Sequence, residues 1–188
     1  MRHKYETRGI VLSRSSLGEA NAFVTLLTPD LGLVRARAQG IRRSGAKLAA
    51  SLATLSQSSL VLVRGKESWR VAGAVLEENW FACMKNCSRV RAARVSGLLT
   101  RLVAGEIYDP TLFLIIESFF KALSILPEKE HSSAEVLAVL RILAVLGLDT
   151  GEIPGESYLF TQQLLVEIEK NRTKYITRIN HGITASGL

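Results

Sequence analysis

At about Glu77 the chain changes its hydrophobic period, and this limits the folds open to it. Before that point, apolar residues come in short alternating runs. After it, they recur at helical spacing. A period of two belongs to strands with one buried face, and a period near 3.6 belongs to amphipathic helices. Strands first and helices afterwards make an α+β protein, in two blocks rather than interleaved as in a βαβ fold. The expected division is 1–80 for the strand-rich domain and 81–188 for the helical one.

Five strands are expected in the first block: Tyr5–Leu12, Ala22–Leu27, Leu33–Gln39, Ser58–Val63 and Trp69–Leu76. Pro29-Asp30-Leu31-Gly32 joins the second to the third as a hairpin. Arg64-Gly65-Lys66-Glu67-Ser68 joins the fourth to the fifth. Ala49–Ser56 reads as a short helix or as irregular chain. Five short strands with one long connection before the fourth point to a small barrel, and the OB-fold is the commonest five-stranded solution.

The helical block opens with a helix over Ala82–Ala104, whose stripe includes Leu98, Leu99, Leu102 and Val103. Asp109-Pro110 starts the next one, with Asp at the cap and Pro at the first helical position. Pro127 ends it. Ser132 or Ser133 is the expected cap of Ala134–Leu146, which Gly147 stops. That helix is apolar nearly all round and should be central. Ser157 is the expected cap of Tyr158–Lys170, and a last helix includes Tyr175–Ile183.

Charge is distributed unevenly. Residues 1–80 hold 12 Lys and Arg against 6 Asp and Glu, whereas residues 81–188 hold 12 against 11. The excess concentrates in Leu33–Leu48, LVRARAQGIRRSGAKL, where Arg35, Arg37, Arg42, Arg43 and Lys47 fall within thirteen residues that contain no acid. Arg35 and Arg37 share one strand face, and Val34, Ala36 and Ala38 share the other. A cation-rich, acid-free segment points to a polyanion. Arg14, Lys66 and Arg70 extend the candidate surface. Arg89, Arg91 and Arg94 form a second basic group on the first long helix, which otherwise is a solvated face or pairs with acids of the bundle. Of the barrel aromatics Tyr5, Phe23, Trp69 and Trp80, Phe23 stands between apolar neighbours and is expected in the core. Trp69, on a face with Val71 and Val75, is expected there too.

No catalytic constellation is visible. Gly40–Lys47 misses the phosphate-loop pattern, because Ala46 separates the second glycine from the lysine and Leu48 stands where a hydroxyl would hold magnesium. Gly155-Glu156-Ser157-Tyr158-Leu159 lacks the closing glycine of a nucleophile elbow. Cys83 and Cys87 are two short of a zinc site and read as buried free thiols. Glu77, Glu78, Glu128 and Glu130 read as ordinary surface carboxylates. Neither a signal peptide nor a membrane span is evident: Glu117 and Lys121 interrupt Leu112–Leu126, and Arg141 interrupts Val136–Leu148. These features fit a non-enzymatic cytoplasmic protein without cofactor or metal.

Several stretches resemble the RecO family of bacterial recombination mediators: Tyr5-Glu6-Thr7-Arg8-Gly9-Ile10-Val11-Leu12, Leu17-Gly18-Glu19-Ala20-Asn21, Val24-Thr25-Leu26-Leu27-Thr28, Gly32-Leu33-Val34-Arg35, Ala38-Gln39-Gly40-Ile41-Arg42-Arg43 and Val63-Arg64-Gly65-Lys66. More loosely, Asp109-Pro110 and Leu140–Gly147 resemble the family's bundle. The resemblance implies an N-terminal OB-fold on a helical domain. It implies binding of single- and double-stranded DNA, annealing of complementary strands, and action with RecR to load recombinase onto DNA coated by single-strand-binding protein. That places the protein in the bacterial cytoplasm, on the nucleoid. It also implies that the helical domain receives the acidic, apolar-tipped tail of single-strand-binding protein. Lys121, Arg141, Arg172, Lys174 and Arg178 near Leu123 and Ile142 are candidates for that rim. Many members carry a four-cysteine zinc site after the Leu-Gly end of the central helix. Gly151–Leu188 has no cysteine, so zinc is not carried over. The alternatives are an RNA-binding OB-fold protein, which would prefer RNA in competition, and a protein-interaction adaptor.

Overall fold

The structure is a computed structural model that describes residues 3–43, 45–66, 68–103, 108–155 and 158–188. It has two compact units: Met1–Cys83 with Val103–Phe113, and Met84–Leu102 with Leu114–Leu188.

In the first unit five strands close into a barrel of order β1-β2-β3-β5-β4, the order of an OB-fold. They are β1 (Lys4–Leu17), β2 (Asn21–Thr28), β3 (Gly32–Ala38), β4 (Ser56–Arg64) and β5 (Trp69–Asn79). All neighbours are antiparallel except β3 and β5, which close the barrel through one short parallel pairing, Ala36 beside Trp69 and Arg37 beside Arg70. The expected five strands are all present, and β1 runs five residues further than its apolar stretch, from Leu12 to Leu17. Pairing of Ser13–Leu17 with β2 carries that polar extension, beyond a register shift between Val11 and Ser13. Alternation of side chains puts Val11, Val24, Leu26, Val34, Ala36, Leu60, Leu62 and Val71 in one core. The segment 49–55 forms turns rather than a helix, Ser56 already belongs to β4, and Leu52 fills the core. Leu55 adopts a left-handed φ of 62° and donates its amide to the Val11 carbonyl at 2.8 Å.

The face expected to hold Trp69, Val71 and Val75 divides here. Trp69 is buried, with its ring edge-on to Tyr5 at 5.2 Å. Val75 leaves its face: the β4–β5 register shifts between Val61 and Leu62, so Val71 points inward whereas Val75 is 69% exposed. An extra residue in one strand reverses every side chain beyond it.

Glu77 is more than a solvated acid. It accepts hydrogen bonds from Ser59 Oγ (2.5 Å), Arg8 Nε (3.0 Å) and Gln57 Nε2 (3.3 Å). Burial raises its carboxyl pKa, but the Ser59, Arg8 and Gln57 donors outweigh it and hold the group below the usual carboxylate range.

The expected first helix is divided into α1 (Trp80–Cys83), in the first unit, and α2 (Asn86–Leu102), in the second. Asn79 Oδ1 accepts from the Ala82 amide and starts α1. The break sets Cys83 and Cys87 on different helices. Both are free, but Cys83 is exposed and Cys87 half-buried, contrary to the expected buried pair. Hydrogen bonding to Glu78 raises the Cys83 pKa.

Asp109 Oδ1 accepts from the Thr111 amide at 2.8 Å at the start of α3 (Pro110–Ile125), as its Asp-Pro sequence predicts. The next helix begins earlier than expected. A 3-10 turn at Glu128–Glu130 leads directly into α4 (His131–Val145), so neither serine is the cap. Ser133 instead donates to Glu169 at 2.6 Å, and Ser132 accepts from Arg172 at 2.7 Å. Helix α4 packs against α2, α5 (Gln162–Lys170) and α6 (Arg172–Ala185), in the central place its composition predicts. The α5 cap is Thr161, which accepts from the Leu164 amide. The expected cap Ser157 and its neighbour Glu156 lie outside the described residues. No helix among the described residues is long and apolar enough to cross a membrane.

Candidate nucleic-acid interface

Strand β3 sets the geometry of the candidate site. Its burial alternates as its sequence does: Val34, Ala36 and Ala38 are buried, Arg35 is exposed and Arg37 half-buried. Register carries the outer row across the sheet, since residues directly opposite share a face. Ser13, Thr25 and Arg35 align, and beside them Ser15, Phe23, Arg37 and Arg70. Arg37 and Arg70 are thus neighbours where the barrel closes. Arg37 Nε is buried and has no hydrogen-bond partner among the described residues. Like charges side by side repel, and a buried N–H without an acceptor is costly. An anion at this seam answers both.

Phe23 is not in the core. Ala22 and Val24, its apolar neighbours, both point inward, so Phe23 must point outward. There it is half-buried, with the Arg35 guanidinium carbon 4.4 Å from its ring centroid. Apolar residues on both sides had suggested burial, but strict alternation of the strand was the signal that places it.

The basic loop is tied to the turn between β1 and β2. Gly40, at φ 67°, donates its amide to Asn21 Oδ1 at 3.0 Å. The Arg42 amide reaches the Ala20 carbonyl at 3.1 Å, and Arg42 Nη1 reaches the Gly18 carbonyl at 2.6 Å. Ile41 sinks into the barrel core at one end, and Leu48 packs on it at the other. Between these anchors Arg42, Arg43 and Lys47 are exposed, and Ser44 lies outside the described residues. Asn21 is the residue of this site that charge counting misses: it is neutral, yet it fixes where the cations stand. Among the described residues no carboxylate forms a salt bridge with Arg35, Arg37, Arg42, Arg43 or Lys47.

Arg14, Lys66 and Arg70 are placed differently from one another. Arg70 joins the outer row. Lys66 is exposed in the β4–β5 turn, on a different connection from the basic loop. Arg14 is exposed but lies opposite inward-facing Val24, out of line with the row. The register shift in β1 decides this, and no composition signal marks it.

In the second unit, α2 holds Arg89, Arg91 and Arg94. Arg91 and Arg94 both bind Glu135 of α4, the latter at 2.9 Å. For Arg91 and Arg94 this is the pairing with an acid of the bundle that the sequence offers beside a basic surface. The rim expected from the resemblance also changes. Arg141 is 5% exposed and lies over the Phe160 ring, donating to the Leu159 carbonyl, and burial lowers its pKa to about 10. Arg178 binds Asp149 at 2.5 Å, and Arg172 binds Glu169 at 3.2 Å. Leu123 and Ile142 are buried. A cleft of about 260 Å³ lies instead between Lys121, Ala122, Ile125, Leu159 and Phe160, with Ile125 and Leu159 exposed at its edge.

Residues 1–79 match the family described as Recombination protein O N terminal. The chain is 29% identical over 123 residues to the DNA repair protein RecO of Dehalococcoides mccartyi strain BAV1, covering 64% of this chain and 48% of that protein. It is 38% identical over 72 residues to the same protein of D. mccartyi strain 195, covering 38% of this chain and 28% of that protein. The DNA repair protein RecO of Gloeobacter violaceus is 27% identical over 146 residues, covering 77% of this chain and 56% of that protein. The matches thus take in about a quarter to just over half of the length of these relatives. Residues 1–79 thus match a RecO N-terminal domain, and the chain is similar to the DNA repair proteins RecO.

Proposed function

We propose that the outer face of β2, β3 and β5, together with the Gly40–Lys47 loop, binds the phosphodiester backbone of DNA, and that the chain acts without catalysis as a recombination and repair mediator. The observation that carries this reading is the seam where Arg37 and Arg70 are paired across β3 and β5, and among the described residues neither forms a salt bridge with an acid. Phosphate is the anion that repeats along a strand, and cations on a strand face and an adjoining loop can follow it. Backbone contacts do not read sequence, so binding is non-specific. Both single and double strands are ligands. A surface that holds two strands by their backbones leaves the bases free to pair, which is the requirement for annealing.

The relatives named DNA repair protein RecO support the assignment to repair, and this reading places the chain on the bacterial nucleoid. RecR and single-strand-binding protein are the partners that this reading implies. The cleft at Lys121, Ile125 and Leu159 suits an acidic tail with an apolar tip, because it offers one cation beside exposed aliphatic side chains.

Annealing of complementary oligonucleotides without ATP, with and without single-strand-binding protein, tests the function. Wild-type protein accelerates annealing. A variant with Arg35, Arg37, Arg42 and Arg43 changed to Ala loses DNA binding while keeping its barrel circular dichroism. Undiminished binding by that variant refutes the site, and preference for RNA over DNA of the same sequence refutes the DNA reading.

A further inference from the structure

We infer that Phe23 is a stacking position for an unpaired nucleobase, covered by Arg35 in the free protein, so that this face distinguishes single strands from duplex. The inference rests on the reading of the outer face as a DNA surface, and adds to it a contact with bases.

The observations concern one ring. Phe23 lies outside the barrel although it is the bulkiest apolar residue of β2. Its neighbours in the outer row are Ser15 and Arg37, with Thr25 and Arg35 next along the strands. Two short hydroxyl side chains and two long cations therefore surround an aromatic surface. Arg35 covers it at 4.4 Å, a cation over the negative face of the ring. The guanidinium is planar, and it occupies the position a base would take when stacked on the phenyl ring. On displacement it remains within reach of a phosphate of the same strand. Aromatic rings flanked by cations bind single strands without reading sequence, because every base has a π-face. A duplex keeps its bases stacked on one another, so it meets the arginines alone.

A purely structural role makes a different prediction. If Phe23 only props Arg35 in place, its loss weakens single-strand and duplex binding alike. If it stacks on a base, the loss falls on single strands.

The test uses the full chain with oligonucleotides carrying 2-aminopurine, and with an abasic series. Phe23→Leu keeps an apolar side chain but removes the ring, and Phe23→Tyr keeps the ring. For Phe23→Leu the expected loss of single-strand affinity is about fivefold, at the low end for base–aromatic stacking because the Arg35 contact must be given up. Duplex affinity stays within about twofold. Phe23→Tyr restores single-strand binding, and 2-aminopurine quenching present with wild type is lost only in Phe23→Leu. Against abasic oligonucleotides, wild type and Phe23→Leu bind equally. Equal losses on single strand and duplex overturn the inference, as does an unchanged Phe23→Leu. If that variant is unchanged while Arg35→Ala with Arg37→Ala weakens binding, only the stacking position fails. If neither matters, the DNA surface fails with it.

Discussion

The double substitution Arg43→Ala with Lys47→Ala isolates the charge of the basic loop from its architecture. Both side chains are exposed, and neither makes a side-chain hydrogen bond or ion pair among the described residues. Removing them should leave stability within about 0.5 kcal/mol. The effect on DNA follows from counterion release. With Arg35, Arg37, Arg42, Arg43 and Lys47 each neutralising one phosphate, the single-strand slope of log K against log salt is about −3.5, and the duplex slope about −4.5. Removal of two cations should flatten the single-strand slope to about −2.1. Between about 50 and 200 mM salt the wild type then loses roughly 130-fold in affinity, and the variant only about 20-fold. Fluorescence anisotropy with a labelled single strand at five salt concentrations measures both slopes. A variant slope equal to that of the wild type, within error, refutes the assignment of these two side chains to phosphates. The comparison is stronger than a single affinity, because a partly unfolded variant binds less at every salt without losing a defined number of counterions.

Two further effects follow from the structure. Glu135→Gln removes the carboxylate shared by Arg91 and Arg94, and should cost about 1–3 kcal/mol in urea unfolding followed by far-ultraviolet circular dichroism. Most of that belongs to Arg91, since the Arg94 side chain is 64% exposed and screened; a loss below about 0.5 kcal/mol argues against the clamp. Glu77→Gln should make the barrel less stable at neutral pH. Burial raises the Glu77 pKa but its three donors outweigh that and hold it below the usual range, so its contribution is complete above that range and is lost as pH falls through the lowered value. The gap between wild type and variant should therefore close on acidification, and a gap that widens toward acid contradicts the sign.

The five strands and their order were legible because one face of each is apolar and every turn carries Gly, Pro or Asp. Lengths were not. Ser13–Leu17 has no apolar stripe to mark it as strand, and pairing with β2 alone holds it. Misplaced residues share one cause, the phase of alternation. Val75 lies beyond a register shift that the sequence does not announce, whereas Phe23 needed only consistent counting from Val24. Arg35 and Arg37 were placed correctly because Val34, Ala36 and Ala38 set the phase on both sides. In the helical part, serines read as caps turned out to bind residues far along the chain, Ser132 with Arg172 and Ser133 with Glu169. Local signals cannot compete with partners brought in by the tertiary fold.

Asn21 gives the sharpest separation between charge and its positioning. Its Oδ1 takes the amide of Gly40, at the hinge where β3 gives way to the loop, and Gly18 and Ala20 take the two groups of Arg42. In Asn21→Ala the loop keeps every cation but loses one anchor at its first turn. Loss of the bond costs about 0.5–1.5 kcal/mol in the free protein. A freed loop must also be ordered again on binding DNA, at about 1–2 kcal/mol for each residue that had become mobile. A loss of affinity of about tenfold is expected, the equivalent of roughly 1.4 kcal/mol. Because the number of phosphates neutralised is unchanged, the salt plot of Asn21→Ala should run parallel to that of the wild type and below it. The Arg43→Ala, Lys47→Ala plot should cross toward it. Were Asn21→Ala to flatten the slope by as much as the loss of two cations does, the loop would be reaching DNA only through the anchored conformation, and the separation of positioning from charge would fail.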